Sequence, residues 1–299
     1  MSFLEGVLIL TGITVIVTQG VYVLTGLTGL FSLGQAAFVA VGAYSAGIAN
    51  LRWHLGFVPA TIVGVLVAIA ASLVVGAPSL RLRKTYFSLA TIAFGYGVES
   101  VLNVSSWSGG AIGLIGVPNI TRLWHVLVVA AVVVWIVRNF KLSRYGRACV
   151  SVRTDETAAQ VYGVNAFAAK QIAFTLGAAL AGLGGALFAF YLGYLSPDMF
   201  GIVSSSEYLI MVFFGGLFSQ TGVLLGAVSL ALLMEFLRTA AEFRVIIYCL
   251  IILIVILFRP TGVFGSWEFS VAWAKTVLGL GGARKEVPSS GSNGRSQRG

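Results

Sequence analysis

The chain has 299 residues, of which 58% are hydrophobic and only 10% charged, with a mean hydropathy of +0.96 and a formal net charge of +9. Soluble domains carry roughly 25% charged residues, so this composition excludes a soluble globular protein and points to an integral membrane protein. Cys149 falls in a polar stretch and Cys249 in an apolar one, an arrangement that argues against a disulfide and offers no metal-ligand spacing.

The start, MSFLEGVLIL, has neither a basic leader nor a small-residue cleavage site ahead of its apolar run, and reads as a first span. Breaking the chain at charges, prolines and glycine clusters predicts nine apolar segments near 4–25, 30–50, 57–79, 85–104, 122–140, 168–194, 203–217, 222–238 and 244–259. The seventh is short, and the glycines at Gly215, Gly216 and Gly222 mark a candidate broken or re-entrant element. The expected fold is therefore all-α and polytopic, a bundle of about 8–10 transmembrane helices, each near the length that crosses hydrocarbon. Residues 1–265 form the membrane domain and 266–299 a basic, Gly/Ser-rich tail expected to be interfacial or disordered.

Charge sets the orientation. With the C-terminus inside, Arg81, Arg83, Lys84, Arg138, Lys141, Arg144, Arg147, Arg153 and Lys170 fall on the inner side with the tail cations, against Arg52, Arg122, Arg238 and Arg244 outside. The N-terminus is then expected outside. The positive net charge follows from this topology and calls for no nucleic-acid partner. Glycine is the second compositional signal: Gly177, Ala181 and Gly185 recur every four residues, a spacing that lets helix backbones approach closely in lipid. The tetrapeptide GLFS occurs twice, at 29–32 and 216–219, too short an echo to define a repeat.

No phosphate-binding loop, zinc-protease motif or Cys/His ligand set occurs, so an ATP-driven function requires another chain to hold the nucleotide. Beyond Glu5 at the very start of the first, the acidic residues within the predicted spans are Glu99, Glu207 and Glu235, each toward the outer end of its helix. They either reach the headgroup region or form an acidic outer vestibule on the path of an amino group. Ser32 and Gln35, uncharged and polar, either line that path or bond a neighbouring helix.

The polar, Arg-rich stretch between the fifth and sixth spans, within 141–168, is the most informative segment. Thr154 is a candidate N-cap, with Asp155 and Glu156 placed against the positive end of a helix dipole. Gly163 supplies a stop, and Asn165 caps the next helix. About two turns lie between, with Ala158, Ala159, Val161 and Tyr162 expected to face out, the form of a small rigid docking knob. An ordinary amphipathic connector is the alternative.

GRACVSVRTDETAAQVYGVN resembles the cytoplasmic signature of branched-chain amino acid ABC transporter permeases of the LivM type, through Gly146, Arg147, Ala148, Arg153, Asp155, Glu156, Ala158, Ala159 and Gly163. Further segments are similar to that family in order: GLTGLFSLGQAAFVAVGAYSA, LRLRKTYFSLATIAFG, SGGAIGLIGVP, YLGYLSPDMF, FFGGLFSQTGVLLGA and FRPTGVFG. Lys84, Phe218 and Val223 depart from it, standing where Gly, Gly and Pro are common. The resemblance implies a type II-style importer subunit in a prokaryotic inner membrane that pairs with a second homologous permease, two cytoplasmic ATPases and an external binding protein. No cofactor is expected on this chain, since its partners use the ATP. It implies that Asp155 and Glu156 cap the coupling helix and contact the ATPase. Arg147 and Arg153 either pair with acidic groups of that partner or obey the inside-positive rule. Branched-chain amino acids are the first substrate class, urea, short amides and other amino acids the next, and a stand-alone carrier or channel the remaining reading.

Overall fold

The computed structural model describes residues 3–82 and 84–236, together with Leu253, Leu257, Gly262 and Val263. The ninth predicted span, apart from Leu253 and Leu257, and the 266–299 tail lie outside the described residues. The helices are α1 (Phe3–Val21), α2 (Gln35–Trp53), α3 (Phe57–Ser79), α4 (Lys84–Val104), α5 (Leu123–Leu142), α6 (Arg144–Thr154), α7 (Glu156–Val161), α8 (Ala166–Leu192), α9 (Ile202–Gly215) and α10 (Gln220–Phe236). Among the described residues an antiparallel pair of two-residue strands, β1 (Leu114–Ile115) and β2 (Tyr194–Leu195), ties the α4–α5 loop to the end of α8.

Among the described residues, six segments are long and apolar enough to cross a membrane: Phe3–Gly26, Phe57–Ser79, Thr85–Val104, Leu123–Leu142, Ala166–Leu192 and Pro197–Gly215. They match six of the predicted spans. The predicted second span is α2, whose small and polar residues make it less apolar. Packed among α3, α4, α8 and α9, it is largely screened from lipid and needs no continuous hydrocarbon face. The predicted eighth span is the shorter α10.

Four helices, α1, α2, α3 and α8, meet backbone to backbone. A Cβ on Gly42 of α2 would lie 2.3 Å from the Gly182 carbonyl oxygen of α8, and one on Gly185 would lie 2.0 Å from that of Val39. On the other side, a Cβ on Gly64 of α3 would lie 2.7 Å from the Gly42 carbonyl oxygen. Gly177 makes the equivalent approach to Gly20 of α1. Around these crossings Phe38, Phe87 and Phe174 are fully buried, with Phe38 and Phe87 both edge-on to Phe174.

Two of the predicted spans need correction. The second begins at Gln35, not near residue 30: α1 ends in a five-residue π-turn, Tyr22–Gly26, and residues 27–34 are largely non-helical. Most of that segment is buried in protein, where neighbouring helices satisfy its backbone. Leu33 N–H donates to Thr91 Oγ1 of α4 (3.2 Å), Ser88 Oγ donates to the Phe31 carbonyl (2.7 Å), and Ala36 N–H donates to Ser205 Oγ of α9 (2.9 Å). Thr91→Val keeps the shape and removes the acceptor, so it is expected to lower stability by about 1–3 kcal/mol, read as a fall in the Tm of the detergent-solubilised protein. The seventh predicted span reduces to α9, whose 14 residues are extended to 19 only by the 3-10 turn Pro197–Phe200 and Gly201. The chain turns back at Gly216 (φ +116°) into α10, and a Cβ on Gly226 would lie 2.4 Å from Gly215 Cα.

Candidate coupling site

The short helix predicted between the fifth and sixth spans is α7, and a second helix, α6, precedes it. Ser143 Oγ accepts from Gly146 N–H and starts α6, which runs through Thr154. Thr154 is therefore not an N-cap: it ends α6, and its hydroxyl donates to the Val150 carbonyl. Asp155 takes the cap instead, its Oδ1 accepting from Thr157 N–H at 2.8 Å and Ala158 N–H at 3.0 Å. Gly163 closes α7 at φ +82°, and Asn165 Oδ1 accepts from Ala168 N–H to start α8. Gly163→Val puts a β-branched side chain into that left-handed backbone. It is expected to abolish transport while membrane insertion stays normal, measured as solute uptake against the amount of protein in the membrane fraction.

Exposure sorts the residues of α7. Val161 and Tyr162 are 82% and 88% exposed, and Ala158 is also exposed. Ala159, expected to face out, is 5% exposed and packs into the cluster formed with Cys149, Val152 and Ala166. Glu156 pairs with Lys170 of α8 at 2.5 Å, the Lys170 side chain being 7% exposed and that of Glu156 39%. That ion pair fastens α7 to the long helix behind it and leaves the Val161–Tyr162 tip projecting.

The two arginines have different destinations. Arg147 is exposed, and its Nη1 donates to the Leu142 carbonyl at the end of α5 (2.8 Å). Arg153 turns inward: its Nη1 donates to the Gly26 carbonyl, and its guanidinium carbon lies 4.1 Å from the centroid of the Phe218 ring. Burial lowers the pKa of Arg153 from its usual value, and the guanidinium keeps its charge at neutral pH. From α5, Lys141 Nζ donates to the Phe218 carbonyl (3.4 Å). Cys149 is fully buried on the inner face of α6, which pushes its thiol up to about 11 and leaves it inert near neutral pH.

The residues named for a path belong to other elements than α6 and α7. Ser32 is fully buried and accepts from Gly34 N–H. Gln35 is fully buried at the first turn of α2, beside the Gly20–Gly177 crossing, and neither its amide oxygen nor its nitrogen has a hydrogen-bond partner among the described residues. Glu99, Glu207 and Glu235 are half-buried on three different helices, α4, α9 and α10. Glu99 lies beside Gly201 at the start of α9, where a carboxylate suits the helix dipole. A separate groove of about 650 Å³ between α2, α3 and α4 is almost wholly apolar, lined by Val41, Ile48, Val67, Phe94 and Val98 among others, and holds none of these residues.

From the sequence, Lys141 and Lys170 entered only the charge count and Phe218 only as a departure from the family pattern; none was named as a site residue. Lys170 carried a signal: a cation in the second turn of a span needs a partner, and a carboxylate stood 14 positions upstream. The role of Phe218 left no such trace.

The family model of the permease component of branched-chain amino acid transport systems matches residues 3–258. The LivM permease protein of Escherichia coli K12 is 30% identical over 288 residues, covering 85% of this chain and 68% of that protein. The LivH permease protein of Salmonella typhimurium is 28% identical over 150 residues (49% of this chain, 47% of that protein), and BraD of Pseudomonas aeruginosa 28% over 128 (42% and 41%). No solved structure matches. With a helical membrane bundle, no nucleotide motif in its sequence and this match along most of its length, the chain belongs to the family of branched-chain amino acid transport permeases and is a transporter subunit, not an enzyme.

Proposed function

We propose that this chain is the permease of an ATP-driven importer that takes up branched-chain amino acids delivered by an external binding protein. Its partners in that assembly are a second, homologous permease, two ATPase subunits and the binding protein. It sits in a prokaryotic inner membrane with its N-terminus outside and the α7 end of the bundle in the cytoplasm. It binds no cofactor itself, and the ATPases consume the ATP. The substrate class rests on the relatives, each named as part of a high-affinity branched-chain amino acid transport system.

The observation that carries the reading is α7: a two-turn helix with an exposed apolar tip, capped by Asp155 and bolted to α8 by the Glu156–Lys170 pair. A knob held on both sides transmits a push without absorbing it. ATP-driven closure of the ATPases displaces α7, and the bundle rocks between two states whose contacts with the ATPases differ, the difference supplying the coupling. Val161 and Tyr162 make the apolar contact.

The test is reconstitution. Proteoliposomes holding the two permeases and two ATPases, with binding protein and ATP, are expected to accumulate labelled leucine, and removing the ATPases is expected to stop uptake. Uptake that persists without ATPase would make the chain a stand-alone carrier and overturn the proposal.

A further inference from the structure

We propose that Arg153 is the positioning residue through which a displacement of α6 and α7 reaches two helix breaks at once, the GLFS turns at 29–32 and 216–219. The inference rests on α7 being the contact with the ATPase and says where the push goes next.

The two turns share more than four letters. Each opens on a glycine in left-handed backbone, Gly29 at φ +70° and Gly216 at φ +116°. Each separates two apolar helices, α1 from α2 and α9 from α10, and the second helix of each pair opens on a glutamine, Gln35 or Gln220. Arg153 lies between them. A Cβ on Gly29 would stand 3.0 Å from Arg153 Cγ, so the arginine stem runs along the first turn. The guanidinium edge donates to the carbonyl of Gly26, the last residue of the π-turn, where helix carbonyls lack an intrahelical donor. Its face covers the Phe218 ring of the second turn at 4.1 Å.

Each turn also packs against the segment that leads into the other. Phe31 of the first stacks on Phe213, three residues before the second, at 5.6 Å and 18°. A Cβ on Gly26 would meet the Leu217 carbonyl oxygen at 3.1 Å. Lys141 holds the Phe218 carbonyl from the far side. Arginine suits the centre of this group because its planar cation bonds through the edge and stacks through the face together, which an ammonium cannot do. The π-turn beside it belongs to a class that recurs at functional sites. When α6 moves, Arg153 therefore moves the α1–α2 break and the α9–α10 break in step.

The experiment uses the complete assembly in proteoliposomes, measuring labelled leucine uptake and ATP hydrolysis together. Arg153→Gln is expected to leave ATP hydrolysis within about twofold of wild type while cutting uptake at least about tenfold, the signature of lost coupling between sites. Arg153→Lys is expected to recover only part of the uptake. Phe218→Leu is expected to lower uptake alone and to add nothing on top of Arg153→Gln, because both act through one contact. Uptake and hydrolysis falling in parallel, full rescue by lysine, or additive effects of the two changes would each overturn the proposal. Should Arg153→Gln fail to fold, judged by its melting profile, Phe218→Leu and Gly29→Ala (whose methyl crowds the arginine stem) decide the matter by the same ratio of uptake to hydrolysis. A wild-type assembly that transports without ATPase would instead refute the function proposed above.

Discussion

Changing Val161 to Ser and Tyr162 to Asp together is expected to abolish uptake while leaving the amount and the Tm of the membrane-inserted protein unchanged. The two side chains are 82% and 88% exposed and therefore support almost nothing in the isolated chain. If α7 is the knob the ATPases push, they are the apolar anchors of that interface. Truncating an anchor costs about 2 kcal/mol or more, and adding a carboxylate to an apolar contact costs further, so ATPase affinity is expected to fall at least about a hundredfold. Co-purification of the ATPases with tagged permease reads the affinity, and leucine uptake in the same preparation reads the function. Near-normal uptake by the double variant would remove α7 from the mechanism.

Glu156→Gln is expected to have the second largest effect. It leaves Lys170, whose side chain is 7% exposed, without its counter-charge at the joint between α7 and α8. Breaking a fully buried pair costs about 3–5 kcal/mol; the Glu156 side chain keeps 39% of its exposure, which brings the expected loss to about 1–3 kcal/mol. The double change Glu156→Gln with Lys170→Met removes the stranded charge as well, and is expected to restore most of the Tm. Uptake is not expected to return with it, because α7 is then no longer fastened to α8. Thermal melts and uptake on the same three proteins separate these roles, and recovery of both quantities together would reduce the pair to a stabilising contact.

The spans were legible because lipid demands long apolar runs, and that demand is written directly in composition. The break at 27–34 was not. Hydropathy reports the solvent a segment tolerates, and this one is buried in protein, its backbone satisfied by Thr91, Ser88 and neighbours that no local pattern reveals. In the loop, Gly163 and Asn165 stand where their residue types indicated, since left-handed stops and caps are local chemistry. Thr154 and Asp155 are both competent caps, and the choice fell to Asp155 because Thr154 is taken up as the last residue of α6, a helix the sequence did not reveal. Ala159 faces inward for a reason only the packing partner supplies. Arg153 and Lys170 could be counted toward orientation, but a count of charges does not say that one would reach Gly26 and Phe218 and the other Glu156.

The glycine contacts joining α2, α3 and α8 leave no layer of side chains to serve as lubricant. Moving one of these helices along its neighbour by a single residue, about 1.5 Å, would drive carbonyl oxygen against main chain where gaps are already closed at Gly42, Gly64 and Gly185. The three must travel as one keel. Whatever opening and shutting the protein performs is left to its flanks, at the hinges that border this rigid spine.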